Sequence, residues 1–367
     1  MRNLRSSDQG VVEIAAERRR GRGARSNASG RYEGERREQI DDGWESQDEV
    51  IPFKTEVSHE LARSIIATND SPDISFDQSI NPYRGCEHGC IYCYARPTHA
   101  WLGHSPGLDF ETKLYAKVNA AETLVRELSR AGYVVKPIAL GAVTDPYQPI
   151  ERRFAITRQV LAVLDDARHP VGIVTKSASV VRDIDILSEM SSRALVKVAL
   201  SVTTLDGILA RSMEPRASTP KRRLEAMRRL ADAGIPVGVM VAPVIPGLND
   251  HEIEKILEAA RDAGATTAGY VLLRLPLELK ELFREWLATD HPGRARRVIS
   301  LLRSMHGGRD YSSAFGLRQR GSGPYAELVA QRFRKAMDRL GLGERSLKLR
   351  CDLFRRPSPE GRQLRLL

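Results

Sequence analysis

Asn81-Pro82-Tyr83-Arg84-Gly85-Cys86-Glu87-His88-Gly89-Cys90-Ile91-Tyr92-Cys93-Tyr94 is the stretch on which the reading of this chain turns. Three of the four cysteines in 367 residues fall within eight positions of it, as Cys86-x3-Cys90-x2-Cys93. Closely spaced thiolates are soft ligands suited to an iron–sulfur cluster or to zinc. Gly85 and Gly89 permit the sharp turns that let one short loop aim three sulfurs at a single centre. A cubane [4Fe–4S] cluster has four irons, so three cysteines leave one iron open to an exogenous ligand. Structural zinc with His88, His99 or His104 as fourth ligand is the rival. Zinc ribbons draw on two separate cysteine pairs, and no second pair exists here. Too few cysteines in too long a chain argue against a disulfide framework.

Around this loop the pattern is α/β. Residues 59–67 read as a short helix, 74–76 as a weak first strand feeding the loop, and 94–101 as the helix after it. Apolar runs at 137–143, 171–175, 195–202, 237–242 and 269–274 then read as strands buried on both faces of a parallel sheet. The helices between them have legible ends. Asn119-x-x-Glu122 suggests a capping box, Thr219-Pro220 a helix start stopped by Gly234, and Asp250 a start stopped by Gly264. Six β/α units of this kind make an open doubly wound sheet or a barrel, and local pattern does not choose between them.

The cysteine loop also carries a resemblance. Cys-x3-Cys-x-aromatic-Cys, with Tyr92 as the aromatic, resembles the signature of the radical S-adenosylmethionine (SAM) superfamily. The longer Cys-x-Tyr-Cys-Tyr form resembles its spore-photoproduct-lyase branch and that branch's uncharacterised, repair-photolyase-type bacterial relatives. The resemblance implies a partial (β/α)6 TIM-like barrel over about residues 74–290. It implies a [4Fe–4S] cluster on Cys86, Cys90 and Cys93, and SAM cleaved reductively to a 5′-deoxyadenosyl radical that abstracts hydrogen from a substrate. The reaction would be lyase- or transferase-like, with an electron donor of flavodoxin or ferredoxin type.

Ligands of parallel β/α folds sit at the carboxyl ends of the strands, so polar residues there are the first candidates. SAM offers a carboxylate, an ammonium, a ribose and an adenine. Lys176 suits the carboxylate, Thr144 and Asp145 the ammonium, and Ser201 the ribose. The resemblance implies the same roles, with Thr144 in place of a serine. Tyr92 and the Ala242-Pro243 backbone would line the adenine. Tyr94 matches a position implicated in hydrogen transfer in photoproduct lyases. Those lyases also carry a cysteine near the end of the second strand, where this chain has Gly141-Ala142-Val143; the spare Cys351 lies far off in the sequence. That departure counts against photoproduct repair itself. Arg216 and Arg274 are candidates for an anionic group on the substrate.

Charge is unevenly spread. The net charge is +10, yet residues 1–50 hold ten Arg against eleven acidic residues, while 291–367 hold eighteen Lys and Arg against six Asp and Glu. The basic excess therefore lies in the C-terminal extension, and localised positive charge attracts polyanions such as DNA or RNA. The predicted organisation is a polar, largely disordered N-terminal arm over 1–58, a radical SAM core over 59–290, and a basic helical extension over 291–367. Within the arm, residues 1–30 read as disordered, and Trp44 as a residue that docks on the body. The stretch 21–44 also resembles the leader of the uncharacterised relatives, which makes a tethered arm of it. No apolar run is long enough to span a membrane, and Met1-Arg2-Asn3-Leu4-Arg5 lacks the apolar h-region of a secretory signal, so a reducing cytoplasm is expected. Two other functions remain open on sequence: radical modification of a protein or small metabolite, and a non-enzymatic, zinc-stabilised nucleic-acid-binding protein.

Overall fold

The structure, a computed structural model, describes residues 14, 19–33, 53–343 and 348–357. A small sheet combines β1 (Glu56–Glu60), β4 (Tyr83–Arg84) and β5 (Lys113–Lys117); β1 runs parallel to β5 and β4 antiparallel to it. The main sheet holds β2 (Ile66–Thr68), β3 (Gln78–Ile80), β6 (Ile138–Leu140), β7 (Val171–Thr175), β8 (Val196–Ser201), β9 (Val237–Val244) and β10 (Thr267–Leu272). Their spatial order is β10-β9-β8-β7-β6-β3-β2. β3 and β6 to β10 are mutually parallel, and β2 caps one edge in the antiparallel sense. The sheet does not close, which makes it the partial barrel of six β/α units.

Between the strands lie α1 (Asp109–Thr112), α2 (Ala120–Leu128), α3 (Glu151–Phe154), α4 (Ile156–Asp166), α5 (Ile184–Ser192), α6 (Gly207–Met213), α7 (Pro220–Asp232) and α8 (Ile253–Asp262). After β10 come α9 (Leu279–Asp290), α10 (Pro292–Met305) and α11 (Pro324–Leu340). The start of α7 matches the sequence reading: Thr219 Oγ1 accepts the Arg222 amide (3.4 Å), and Pro220 occupies the first turn.

β6 is buried throughout, but β7, β8 and β10 alternate between buried and more open positions, so the expected burial on both faces does not hold along the whole sheet. Val171, Ile173, Val198, Leu200, Val239 and Val241 are covered by helix residues such as Leu161, Leu187, Met227 and Leu257. Burying such side chains contributes about 1.5–3 kcal/mol each. The alternate residues face the concave side. There the register sets Val174 beside Ala199 and Gly238, and Met240 between Ser201 and Gly269. Gly172, Ala199, Ala242 and Gly269 are half-buried and Val174 is 39% exposed, so small residues keep the barrel interior open.

Two local expectations fail for one reason. Asn119 does not cap α2; its side chain accepts the Ala62 amide (2.8 Å) and donates to the Ala62 carbonyl (3.0 Å). Glu127 accepts the amides of Ile65 and Ile66. Residues 62–66 are thereby tied to α2 in a non-helical course between β1 and β2, instead of forming a helix over 59–67. The first barrel strand is 78–80, because Asn69 turns the chain back through Phe76 and Asp77. β1 also crosses the expected boundary at residue 58.

The arm is corrected in part. Residues 19–33 pack into the body, with Ala24 and Ser26 fully buried, despite their polar composition. Trp44 and the remainder of the predicted disorder lie outside the described residues. Part of the extension's positive charge goes into attachment: Arg332 grips Glu254 (2.7 Å), Arg339 grips Glu258 (2.6 Å) and Arg318 pairs with Asp73, while Arg303 pairs with Asp310 (2.7 Å) inside the extension itself. Exposed pairs of this kind contribute about 0–1 kcal/mol each, so the apolar seat of Val329, Phe333 and Ala336 carries the docking of α11. Among the described residues no helix is long and apolar enough to cross a membrane.

Two buried histidines set an acid limit. Burial pushes His99 and His169 down to about 4. A folded-state value below the unfolded value near 6.5 means that the unfolded chain binds the proton first. Stability is therefore full above pH 6.5 and falls as pH drops towards 4, by about 2–3 kcal/mol for each histidine. Urea midpoints across that window should fall, and should fall less in His169→Gln; an identical pH dependence in the variant would refute the assignment for that residue.

Candidate functional site at the cysteine loop

The cysteine loop runs from β4 into a 3₁₀ helix, Arg96–Leu102, and lies across the carboxyl ends of the strands. Gly85 and Gly89 have φ of +71° and +67°, where a side chain is strained, and a Cβ at either would meet neighbours at 2.6–2.7 Å. Gln148, after β6, clamps the loop by accepting the Glu87 amide (2.8 Å) and donating to the Gly85 carbonyl (3.1 Å). Met213, at the end of α6, accepts the Ile91 amide (2.9 Å).

Arg96, fully buried, holds the loop from inside. It donates to the carbonyls of Cys90 (2.9 Å) and Gly89 (3.0 Å), and to those of Pro106 and Gly107. Its charge is balanced by Glu111 at 2.5 Å, also fully buried. Glu111 in turn accepts the amides of Gly23 (2.9 Å) and Ala24 (2.8 Å), and Arg22 donates to the Glu111 carbonyl (2.9 Å). The N-terminal arm is thus strapped over the loop. At the crossing a Cβ on Gly23 would lie 1.8 Å from the Gly89 carbonyl oxygen, so only glycine fits.

Cys86 and Cys90 are buried, Cys93 is half-buried, and none is in a disulfide. Burial pushes the Cys86 thiol well above its ordinary value, with Asp145, Cys90 and Cys93 adding to the effect. Burial likewise pushes Cys90 up to about 12, against the pull of Lys176. The three sulfurs therefore share one electrostatic neighbourhood. Among the described residues, no three His, Cys, Asp or Glu side chains converge tightly enough for a single ion. The donor set fits a cubane, whose ligands sit on separate irons, better than it fits zinc. His88 turns Nδ1 to Asp145 (3.4 Å) and His104 pairs with Tyr115 (2.6 Å), so neither offers that nitrogen to a metal.

The structure gathers the other predicted residues about this loop. Lys176 stands with Nζ 5.7 Å from the centre of the Tyr92 ring, and has no carboxylate partner among the described residues. Asp145 is a strut, in revision of its expected role. One oxygen accepts Thr175 Oγ1 (2.7 Å) and the Tyr147 amide (2.9 Å); the other accepts the Lys176 amide (2.7 Å) and faces His88. Burial works to raise its carboxyl, but His88 and these donors outweigh it and hold the value at about 2. Thr144 donates to the Tyr83 carbonyl (3.1 Å), which leaves its oxygen able to accept. Ser201 is buried at the end of β8 with its hydroxyl unengaged among the described residues, and Ala242 lies on the half-buried inner row of β9.

Tyr92 and Tyr94 diverge. The Tyr92 hydroxyl points into a buried network of Thr203, Glu214 and Arg223, in which Arg223 also donates to the Ser201 carbonyl (2.8 Å). Tyr94 is 43% exposed; its hydroxyl donates to the Ala142 carbonyl beyond β6, and Arg274 lies 4.6 Å over its ring. Cys351 sits at the opposite end of the barrel, since the neighbouring Arg350 and Arg355 amides bond to Ala194 and Ala167, which precede β8 and β7. Sequence reasoning missed Arg96, Glu111, Gln148 and Arg223 as supports. Their single letters carry no local signal, because each acts on a segment far away in the chain.

An open six-unit barrel with a three-thiol loop over its strand ends defines a class of metal-cofactor α/β enzyme. The radical SAM superfamily model matches residues 80–260. The chain belongs to that superfamily, whose members use a [4Fe–4S] cluster and SAM. An uncharacterized protein of Mycobacterium tuberculosis is 37% identical over 232 residues, 63% of this chain and 68% of that protein. An uncharacterized protein of Methanocaldococcus jannaschii is 30% identical over 213 residues, 58% of this chain and 76% of that one. In fold the chain is similar to spore photoproduct lyase complexed with dinucleoside spore photoproduct, with TM-score 0.57 and 16% identity over 77% of this chain and 79% of that one. A variant of that lyase with bound AdoMet and the same dinucleoside gives TM-score 0.56 at 16% identity, over 77% and 78% of the two chains.

Proposed function

We propose that this radical SAM enzyme abstracts hydrogen from a nucleic-acid substrate, in a repair- or modification-type reaction. The observation that carries the cofactor side of the reading is Lys176: an ammonium without a counter-charge, held over Tyr92 beside Cys90. Half-buried and without a carboxylate partner among the described residues, this ammonium is available to an arriving anion, and the carboxylate of SAM is such an anion. Cys86, Cys90 and Cys93 hold three irons of the cluster. Bound and reduced there, the cluster with SAM supplies a 5′-deoxyadenosyl radical. Thr144 accepts the SAM ammonium, while Asp145 fixes the Lys176 backbone. Ser201 serves the ribose, and Tyr92 with Ala242 flanks the adenine. Tyr94 lies at the open mouth, with its hydroxyl at Ala142, in the segment where the photoproduct lyases carry their cysteine. It is the hydrogen-transfer candidate on the substrate side, with Arg274 above it for a substrate anion. The lyase-like fold and the cationic surface support nucleic acid over a small metabolite.

Anaerobic incubation with SAM and dithionite, with and without oligonucleotides, tests the function. We expect 5′-deoxyadenosine, released faster with DNA or RNA present. Stimulation by peptides or metabolites alone would move the substrate to another class. Lys176→Ala should weaken SAM binding about tenfold or more with iron content unchanged, and Lys176→Arg should recover part of it. Unaltered SAM affinity in Lys176→Ala would remove that residue from the site.

A further inference from the structure

A cavity of about 220 Å³ opens among the loops after β6, β7 and β8, beside His88 of the cysteine loop. Arg152, Arg216 and Arg222 line it together with Ser177, Ser218 and Thr219. It shares Tyr147, Arg152 and Ser179 with an adjoining cavity of about 290 Å³, to which Arg182 and Arg229 are added. The charge there is one-sided. Arg216 is held by Glu87 (2.7 Å) and Arg182 by Glu151 (2.7 Å) and Asp183 (2.8 Å). Arg152, Arg222 and Arg229 are exposed and have no carboxylate partner among the described residues. Glu151 is the one acid lining either cavity; it is buried and already engaged by Tyr83, Arg182 and the Thr157 amide.

The hydroxyls are turned the same way. Ser177 accepts the Ser179 amide (3.2 Å), Ser218 the Ala178 amide (2.8 Å) and Thr219 the Arg222 amide (3.4 Å). Their O–H protons have no acceptor among the described residues, so each is a donor in waiting. Guanidinium forks and hydroxyl donors, opposed only by an acid already engaged, form the donor set for an oxyanion, and the planar fork matches phosphate best. At about 220 Å³ the first cavity is smaller than the roughly 300–1,000 Å³ that enclose a whole organic ligand. Two adjoining cavities with arginines spread along both suit successive phosphates of a chain better than one compact anion.

We propose that this groove binds backbone phosphates of a single-stranded stretch of nucleic acid; the proposal depends on the nucleic-acid reading of the substrate. Free nucleotides share the phosphate-ester chemistry and differ in lacking a second linked phosphodiester. The groove holds the strand against the loops that carry His88 and Ser177.

The test is fluorescence anisotropy of a labelled single-stranded oligonucleotide with the cluster-loaded protein, between about 50 and 200 mM salt. Arg152→Gln/Arg222→Gln removes two exposed, unpaired charges, so folding is not at risk. It should weaken binding about tenfold at the low-salt end and reduce the log–log salt slope by about 1.4, two phosphates at ~0.7 each. AMP and inorganic phosphate should compete only weakly. Undiminished binding by this variant overturns the site and leaves the substrate reading standing, the more so if Arg334→Gln/Lys335→Gln on α11 lowers binding instead. No oligonucleotide binding by the unaltered protein sinks both. AMP binding as tight as the oligonucleotide, and lost in the variant, would make the groove a nucleotide site and overturn the polynucleotide proposal. A variant impaired only in reduction by an acidic redox protein would overturn it in favour of protein docking.

Discussion

Changing any one of Cys86, Cys90 or Cys93 to alanine is expected to abolish 5′-deoxyadenosine formation, a loss of at least about a hundredfold, with the cluster's visible absorbance lost or greatly reduced. The reason is ligand count. Three thiols for four irons already leave one iron without a protein ligand, and a second bare iron leaves the cube prone to loss. Of the acids beside the thiols, Asp145 is already filled by its own donors and Glu214 is paired with Arg223, so neither is free to replace the missing thiol. Cys86 and Cys90 sit in small apolar clusters, but alanine removes only the sulfur from each position, so the apo fold should keep its circular dichroism and separate loss of metal from loss of fold. Cys351→Ala is the control: that residue lies at the far end of the barrel and should leave iron content and turnover intact. Full iron and sulfide loading with normal turnover in a loop-cysteine variant would dispose of the assignment.

The second large effect concerns stability. Glu111→Gln is expected to lower the thermal midpoint by up to about 10 °C and to expose the N-terminal arm to trypsin. The carboxylate neutralises Arg96 and receives the amides of Gly23 and Ala24, all in the interior. Breaking one partner of a buried pair leaves the other as an uncompensated charge, at a cost of about 3–5 kcal/mol. Each kcal/mol shifts the midpoint by roughly 2–4 °C in domains of 150–250 residues, and a longer chain such as this one falls at or below the lower end of that range. The amide in the variant also presents a donor where two backbone donors need an acceptor. Arg19, Arg20, Arg22 and Arg25 provide tryptic sites within the arm, so its release is directly readable as early cleavage. A variant with an unchanged midpoint and the same cleavage pattern would show that the arm is held by something other than this carboxylate.

These two cases mark what was legible in the sequence. The cysteine spacing and the five apolar runs act locally, through periodicity and through one loop, so the β/α alternation followed from them, while the choice of a partial barrel over an open sheet came from the family resemblance. α9 was legible in principle: Leu279, Leu282, Phe283, Trp286 and Leu287 recur at helical spacing and are buried against the cysteine loop's own core. The small sheet was not legible, because β4 is only two residues long and exists by pairing with β5. Asp145 shows the same limit at the site. Its position at a strand end was evident, but that four donors already fill it is a tertiary fact. The arm misled through composition: arginine and glycine suggest solvent, yet Arg22 and Gly23 are consumed by Glu111 and by a crossing that admits no side chain.

That crossing bears on how the protein is handled. A polar, arginine-rich leader is the first thing a laboratory would trim to improve expression, or replace with a purification tag. Here the trimmed piece would carry away one wall of the metal pocket. Preparations shortened past residue 23 should bleach on exposure to air sooner than full-length ones, and inactivity measured on them would describe the truncation and not the enzyme.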